Sequence, residues 1–235
     1  MTIGIISAMD SEHRQLVERL QDKKMSGDGN LHYYVEGLLG GNRVILTQCG
    51  IGKVNAAVGA TELIRRFAPD CVISTGVAGG IDTCLRVTDV VVSERLVYHD
   101  VWCGNEYEYG QMAEMPAVYE GCVSLLEHAL SLNGTGLESS IHSGLICTGD
   151  QFITNRTELD AIKQRFPDGL AVDMESVAIA QTCYLYNTPF LSFRIISDTP
   201  WVDDHASQYA DFWGTMAERS FLTIWTFLST LPSNL

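Results

Sequence analysis

Three carboxylates stand just past short β-branched runs: Glu12 after Ile3–Ala8, Glu175 after Leu170–Asp173 and Asp198 after Phe190–Ile196. Glycine-containing turns follow other such runs. Gly50-Ile51-Gly52-Lys53 comes after Arg43–Cys49, and Gly76-Val77-Ala78-Gly79-Gly80 after Cys71–Thr75. Gly149-Asp150-Gln151-Phe152-Ile153 comes after Ser140–Cys147. Ligands of α/β sheets gather at the carboxyl ends of strands. Acids, glycines that allow close backbone approach and the Phe152 ring are therefore expected near one another. Such a set suits a neutral, hydrogen-bonding ligand with a flat apolar part. Each piece also has a plain structural reading. Glu12 and Glu175 fit as first-turn acids favoured by the helix dipole, Asp198 as an N-cap, and Phe152 as core.

Other chemistries lack their signatures. Gly50-Ile51-Gly52-Lys53 does not have the four residues a P-loop needs between its first Gly and the Gly-Lys pair, and neither glycine turn has GxGxxG spacing. His99-Asp100 follows a strand-like run, yet no two of His13, His32, His99, His128, His142 and His205 stand at HxH or HxxxH spacing, so no metal site is expected. No GxSxG nucleophile elbow is present. The cysteines Cys49, Cys71, Cys84, Cys103, Cys122, Cys147 and Cys183 are odd in number and lack CxxC spacing. Reduced thiols packed as small hydrophobes are the expectation.

The elements that would carry these residues alternate. Strands are predicted over Ile3–Ala8, Tyr33–Leu39, Arg43–Cys49, Cys71–Thr75, Asp89–Tyr98, Ser140–Cys147, Leu170–Asp173 and Phe190–Ile196. Helices are predicted over Ser11–Gln21, Val54–Phe67, Tyr119–Leu132, Arg156–Phe166, Glu175–Asn187 and Tyr209–Leu231. This is the pattern of an α/β sheet covered by helices. Gly27-Asp28-Gly29-Asn30 and Leu39-Gly40-Gly41-Asn42 punctuate an early meander, and Trp102–Pro116 is the longest irregular stretch, a length often functional. The 235 residues suffice for one domain spanning 1–235, and 46% hydrophobic against 19% charged residues fits a globule. A net charge of −14 repels phosphate backbones, so nucleic acid is not an expected partner. The start lacks a basic n-region, and no apolar run approaches the roughly 18 residues that span a bilayer. A cytoplasmic protein without membrane contact is expected.

At these same positions the chain resembles the 5′-methylthioadenosine/S-adenosylhomocysteine nucleosidase family, within the purine nucleoside phosphorylase-like superfamily. The resemblance runs through Ala8-Met9 with Glu12, Gly50-Ile51-Gly52-Lys53-Val54, Thr75-Gly76 with Ala78-Gly79-Gly80, and Tyr98-His99-Asp100. It continues through Tyr107-Glu108-Tyr109-Gly110-Gln111, Gly149-Asp150 with Phe152-Ile153, Val172 with Met174-Glu175, and Arg194 with Ile196-Ser197-Asp198. It implies a three-layer fold with a central mixed, partly barrel-like sheet between helices. It also implies hydrolysis of the N-glycosidic bond of 5′-methylthioadenosine and S-adenosylhomocysteine, without cofactor or metal, in a homodimer. Asp198 matches the family's acid at purine N7, with Ser197 beside it, and Glu12 matches the base for water. Glu175 and Met174 would hold the ribose, while Phe152 and Ile153 would hold adenine. Gly79 would line the pocket with Ala8, Ile51 and Arg194, and Tyr209 would face the 5′ substituent. Trp102–Pro116 matches the stretch that reaches a neighbour's pocket.

The chain departs from the family at Val77 for Ser, Asp173 for Glu, Gln151 for Ala, Tyr209 for Phe, and in the bulky Thr199-Pro200-Trp201. Two rivals stand beside hydrolysis. A phosphate-dependent purine nucleoside phosphorylase needs cations for the anion, yet Ala8–Glu12 and Gly76–Ala78 offer none where phosphate would approach. A non-catalytic nucleoside-binding protein would not need Glu12, Ser197 and Asp198 together.

Overall fold

Alternating side chains of the first strand part to opposite faces, and this division builds the molecule. Ile3 and Ile5 join one core cluster and Ile6 joins another, as the two-residue period of a strand requires. A computed structural model describes residues 1–27, 33–200 and 205–234. The strands are β1 (Thr2–Ser7), β2 (Gln21–Ser26), β3 (Tyr34–Leu39), β4 (Asn42–Gln48), β5 (Cys71–Gly80), β6 (Val90–Tyr98), β7 (Tyr119–Glu120), β8 (Ile141–Thr148), β9 (Gly169–Asp173) and β10 (Phe190–Asp198). The helices are α1 (Asp10–Val17), α2 (Lys53–Phe67), α3 (Val123–Ser131), α4 (Arg156–Arg165), α5 (Ser176–Leu185), α6 (His205–Thr215) and α7 (Ala217–Thr230).

The expected architecture holds. β5, β10, β6, β8 and β9 close into a five-strand mixed barrel, and β1, β4, β3 and β2 continue the sheet from β5. One face carries Phe212 of α6 and Phe221, Ile224, Phe227 and Leu228 of α7 packed on Val44, Leu46 and Phe193. The other carries Ala56, Ala60 and Leu63 of α2 with Val177, Ile179 and Cys183 of α5. A third cluster sets Leu159 and Ile162 of α4 against Val97, Leu145 and Cys147. Burial of these side chains, at about 25 cal/mol per Å² of apolar surface, fixes the ring from which the strand tips project. Cys49, Cys71, Cys147 and Cys183 are buried free thiols. Among the described residues no helix is long and apolar enough to cross a membrane.

Several elements differ from their predicted bounds. The helix expected over Ser11–Gln21 ends at Val17, and the chain turns into β2, which pairs antiparallel with β3. β2 is Gln-Asp-Lys-Lys-Met-Ser and almost wholly exposed. A charged edge strand of this kind carries no apolar alternation and resists sheet-to-sheet association. The single helix expected over Tyr209–Leu231 is two, α6 and α7, broken at Met216. Gly214 and Thr215 there are weak helix formers. The helix expected from Tyr119 begins at Val123, because Leu96 pairs with Tyr119 and Arg95 with Glu120 in β6–β7. β5 and β10 run on through Gly80 and Asp198, since each pairs with the other and β5 also pairs with β9. Asp28, Gly29 and Asn30 of the expected early turn, with His32 and Trp201, lie outside the described residues.

Candidate active site

Glu12 sits one turn into α1, just past the tip of β1, and its side chain folds back over the entry to the helix. Oε2 accepts the N–H groups of Ala8 and Met9, both at 3.0 Å, and Oε1 accepts the N–H of Val77 from β5 at 3.0 Å. Capping and pocket-lining are therefore the same act: the carboxylate satisfies orphan donors at a helix start while opening on a cleft. Burial pushes its pKa up, against the pull of the Arg194 guanidinium and the three N–H donors. Gly76 is required here, because a Cβ would overlap both the Glu12 carboxylate and Arg194.

Beneath the floor lies a second layer of charge. Arg194, in the middle of β10, is 1% exposed. Its Nε lies 2.8 Å from Asp173 Oδ2 and 3.1 Å from Ser176 Oγ, its Nη2 2.8 Å from Ser74 Oγ and 3.9 Å from Glu175 Oε2. Asp173 in turn accepts Thr148 Oγ1 at 2.5 Å and the Ser176 hydroxyl. A buried cation of this kind needs paired carboxylates and filled donors, and it has both. Glu175 accepts the Gly52 N–H at 2.9 Å through Oε1. Burial raises its pKa, opposed by Arg194.

Asp198 ends β10 and also lines the cleft. The β5–β10 register shifts between Ile196 and Asp198, so that Asp198 pairs with Gly79. A bulge adds one residue to a strand and re-aims the side chains after it. Ser197 Oγ lies 2.7 Å from Asp198 Oδ1 and 3.2 Å from the Ala78 carbonyl oxygen, which fixes the acid's orientation. A Cβ on Gly79 would come within 3.2 Å of Asp198 Oδ2.

Aromatic side chains frame the mouth. Phe152 is 58% exposed and meets Tyr209 of α6 edge-on, with centroids 5.5 Å apart. The Tyr209 hydroxyl reaches Met9 Sδ at 3.5 Å. Between floor and mouth these side chains line a cleft that is partly open to solvent.

Of the residues expected at a site, Ala8, Glu12, Ile51, Gly79, Phe152, Ile153, Met174, Glu175, Ser197, Asp198 and Tyr209 all line this cleft. Arg194 does not: it lies under the floor, tied to Asp173, Ser74 and Ser176. Trp102–Pro116 also stays off the cleft of its own chain. There Trp102 stacks on Tyr109, and Arg165 covers the Tyr109 ring. Sequence reasoning missed the part played by Asp173, Thr148, Ser176 and Ser74. The available signal was Arg194 itself, a charge flanked by Phe193 and Ile195 in an apolar strand, which demands a buried partner. Among the described residues no group of His, Cys, Asp and Glu could hold a metal ion.

Strand ends of one closed mixed barrel and its adjoining sheet thus bring carboxylates, backbone donors and an aromatic ring to one cleft. The Phosphorylase superfamily profile matches residues 2–229. A 5′-methylthioadenosine/S-adenosylhomocysteine nucleosidase of Maridesulfovibrio salexigens is 40% identical over 232 residues, covering 98% of this chain and 100% of that protein. The solved S-adenosylhomocysteine nucleosidase of Streptococcus pyogenes, in complex with 5-methylthiotubericidin, superposes with a TM-score of 0.91 at 35% identity over 99% of this chain and 98% of that one. The 5′-methylthioadenosine/S-adenosylhomocysteine nucleosidase of Colwellia psychrerythraea, in complex with adenine, gives 0.91 at 36% identity over 100% and 97%. This chain belongs to the phosphorylase superfamily and, within it, to the 5′-methylthioadenosine/S-adenosylhomocysteine nucleosidases.

Proposed function

We propose that this chain hydrolyses the N-glycosidic bond of 5′-methylthioadenosine and S-adenosylhomocysteine, releasing adenine and the 5′-thioribose, with Asp198 as the acid and Glu12 as the base. The observation that carries this reading is the cleft itself: Asp198 and Glu12 both open on it, and the cation beside Glu12 is already engaged by Asp173. Adenine leaves poorly as an anion. A proton from Asp198 to N7 lets the C1′–N9 bonding pair depart with the base, and the ribose gains oxocarbenium character. Water then adds to C1′ from the other face, and its proton passes to Glu12. An acid and a base flanking a glycosidic bond follow the logic of sugar hydrolases.

The remaining residues suit binding. Glu175, with the Met174 backbone, accepts the ribose hydroxyls, and Phe152 stacks on the purine whose edge the Ile153 backbone reads. Gly79, Ser197, Ala8 and Ile51 shape the wall, Tyr209 closes the 5′ side, and Arg194 acts from beneath. The same C1′ chemistry extends to 5′-deoxyadenosine. The reading includes a single domain over 1–235, a cytoplasmic homodimer to which Trp102–Pro116 contributes, and no cofactor. Phosphorolysis is disfavoured because phosphate entering beside Glu12 would meet a carboxylate. Purified protein incubated with 5′-methylthioadenosine should release adenine at the same rate with and without phosphate. Strict phosphate dependence would mean phosphorolysis, and tight binding without turnover would mean a receptor.

A further inference from the structure

Nothing in this reaction uses Lys53, although it opens α2 beside the cleft. Its Nζ lies 2.9 Å from both carboxylate oxygens of Asp100 and 3.8 Å from Asp150 Oδ2. It also stands 5.2 Å from the centre of the Tyr98 ring. Its backbone N–H donates to Asp150 Oδ1 at 2.8 Å, and the Asp150 N–H donates to Asp100 Oδ2 at 2.9 Å. One residue thus ties the start of α2 to the turns that follow β6 and β8. The N-cap of α2 is Gly52, at φ +95°, which has no side chain to cap with. Its own N–H goes instead to Glu175. Successive N–H groups at one helix start therefore reach carboxylates on two sides of the site, an arrangement the helix dipole favours. The fit is close, since a Cβ on Gly52 would stand 3.1 Å from Asp150 Oδ1. Phe152 follows Asp150 by two residues.

We propose that Lys53 is a positioning residue: by clamping Asp100 and Asp150 it holds the Gly50–Gly52 turn against Glu175 and the Phe152 segment at the cleft mouth, and so sets affinity for the nucleoside without touching it. The proposal rests on the reading above that Glu175 and Phe152 hold ribose and base. Without the ammonium group, Asp100 and Asp150 face each other as like charges joined by one N–H. Asp150 would draw away from α2 and carry Phe152 with it, and the Gly52 N–H would lose its register on Glu175. Partly exposed ion pairs add little to global stability, so the loss would be one of geometry.

Lys53→Met keeps the aliphatic stem and removes the charge. Its KM for 5′-methylthioadenosine should rise about ten-fold while kcat changes less than about three-fold, because contacts that hold ribose and base equally in ground and transition states affect KM and not kcat. Amide exchange should quicken in residues 50–54 and 150–153 and stay unchanged elsewhere, and Lys53→Arg should restore most of KM. An unaltered KM would overturn the proposal, as would a loss carried by kcat or a rise in exchange across the whole chain. If Lys53→Met does not fold, Asp150→Asn leaves an oxygen for the Lys53 N–H and carries the same expectation at smaller size. Unchanged KM and exchange in that variant would also overturn the clamp. Wild-type protein that released no adenine would instead defeat the functional reading, and the exchange measurement would still decide the clamp.

Discussion

The floor of the cleft and its mouth are built on opposite plans. The floor is made of charge: Glu12, Glu175 and Asp173 surround Arg194, and every one of them is buried and held by backbone or hydroxyl partners. The mouth is made of apolar surface: Phe152 and Ile51 are more than half exposed, and Tyr209 meets the Phe152 ring edge-on and reaches the Met9 thioether. The floor comes from residues in or just past β1, β9 and β10, the mouth from connections and from α6. The difference teaches where precision is needed. Groups that move protons must be fixed, since electrostatic preorganisation works by avoiding rearrangement during reaction. Groups that grip a flat base can adapt.

That contrast can be broken first at the groups that move protons. Asp198→Asn and Glu12→Gln should each lower kcat by about 10²–10⁴-fold with KM little changed, the usual contribution of an acid or base. Steady-state rates with far-UV dichroism to check folding would show it, and near-normal kcat in either variant would remove that residue from the chemistry. Gly76→Ala should follow. Its methyl group would push the Glu12 carboxylate off its three donors, at a cost of about 10²-fold in kcat, as expected for a base displaced by roughly 1 Å.

Acid should act on the floor in the same direction. Glu12 serves as a base only when ionised, and burial holds its pKa above the ordinary value of 4.5. The acid limb of the kcat/KM profile should accordingly lie above pH 4.5, with activity lost as pH falls through it. A limb at or below that value would mean that another group sets it. The smallest effect on chemistry should come from the mouth. Phe152→Ala removes a stacking surface worth about 1–3 kcal/mol, so KM should rise roughly ten-fold or more while kcat stays within about three-fold. A kcat loss as large as that of Glu12→Gln would erase the distinction between the two regions.

The floor was partly legible in sequence and the mouth more so. Glu12, Glu175 and Asp198 could be placed because short β-branched runs end just before them, and strand tips are where ligands gather. Phe152 and Ile153 followed from the same rule. Arg194 was legible only as a motif position. Its burial below Glu12 depends on which strands are neighbours, and β10 lies between β5 and β6 only because the barrel closes. Gly76–Gly80 reads as a loop from glycine content alone, yet pairing with β9 and β10 makes it strand. β2 escaped because its residues carry no apolar pattern. The break at Met216 escaped because the apolar spacing of α7 continues that of α6. Propensity and period are local, and each of these features is decided by a partner far along the chain.

The central claim is that water attacks C1′ under the control of Glu12 while Asp198 protonates the purine. Turnover of 5′-methylthioadenosine in ¹⁸O-enriched water containing phosphate tests it most directly. The account predicts one heavy oxygen at C1 of the released 5′-methylthioribose and no sugar phosphate. A 5-methylthioribose 1-phosphate product would contradict it.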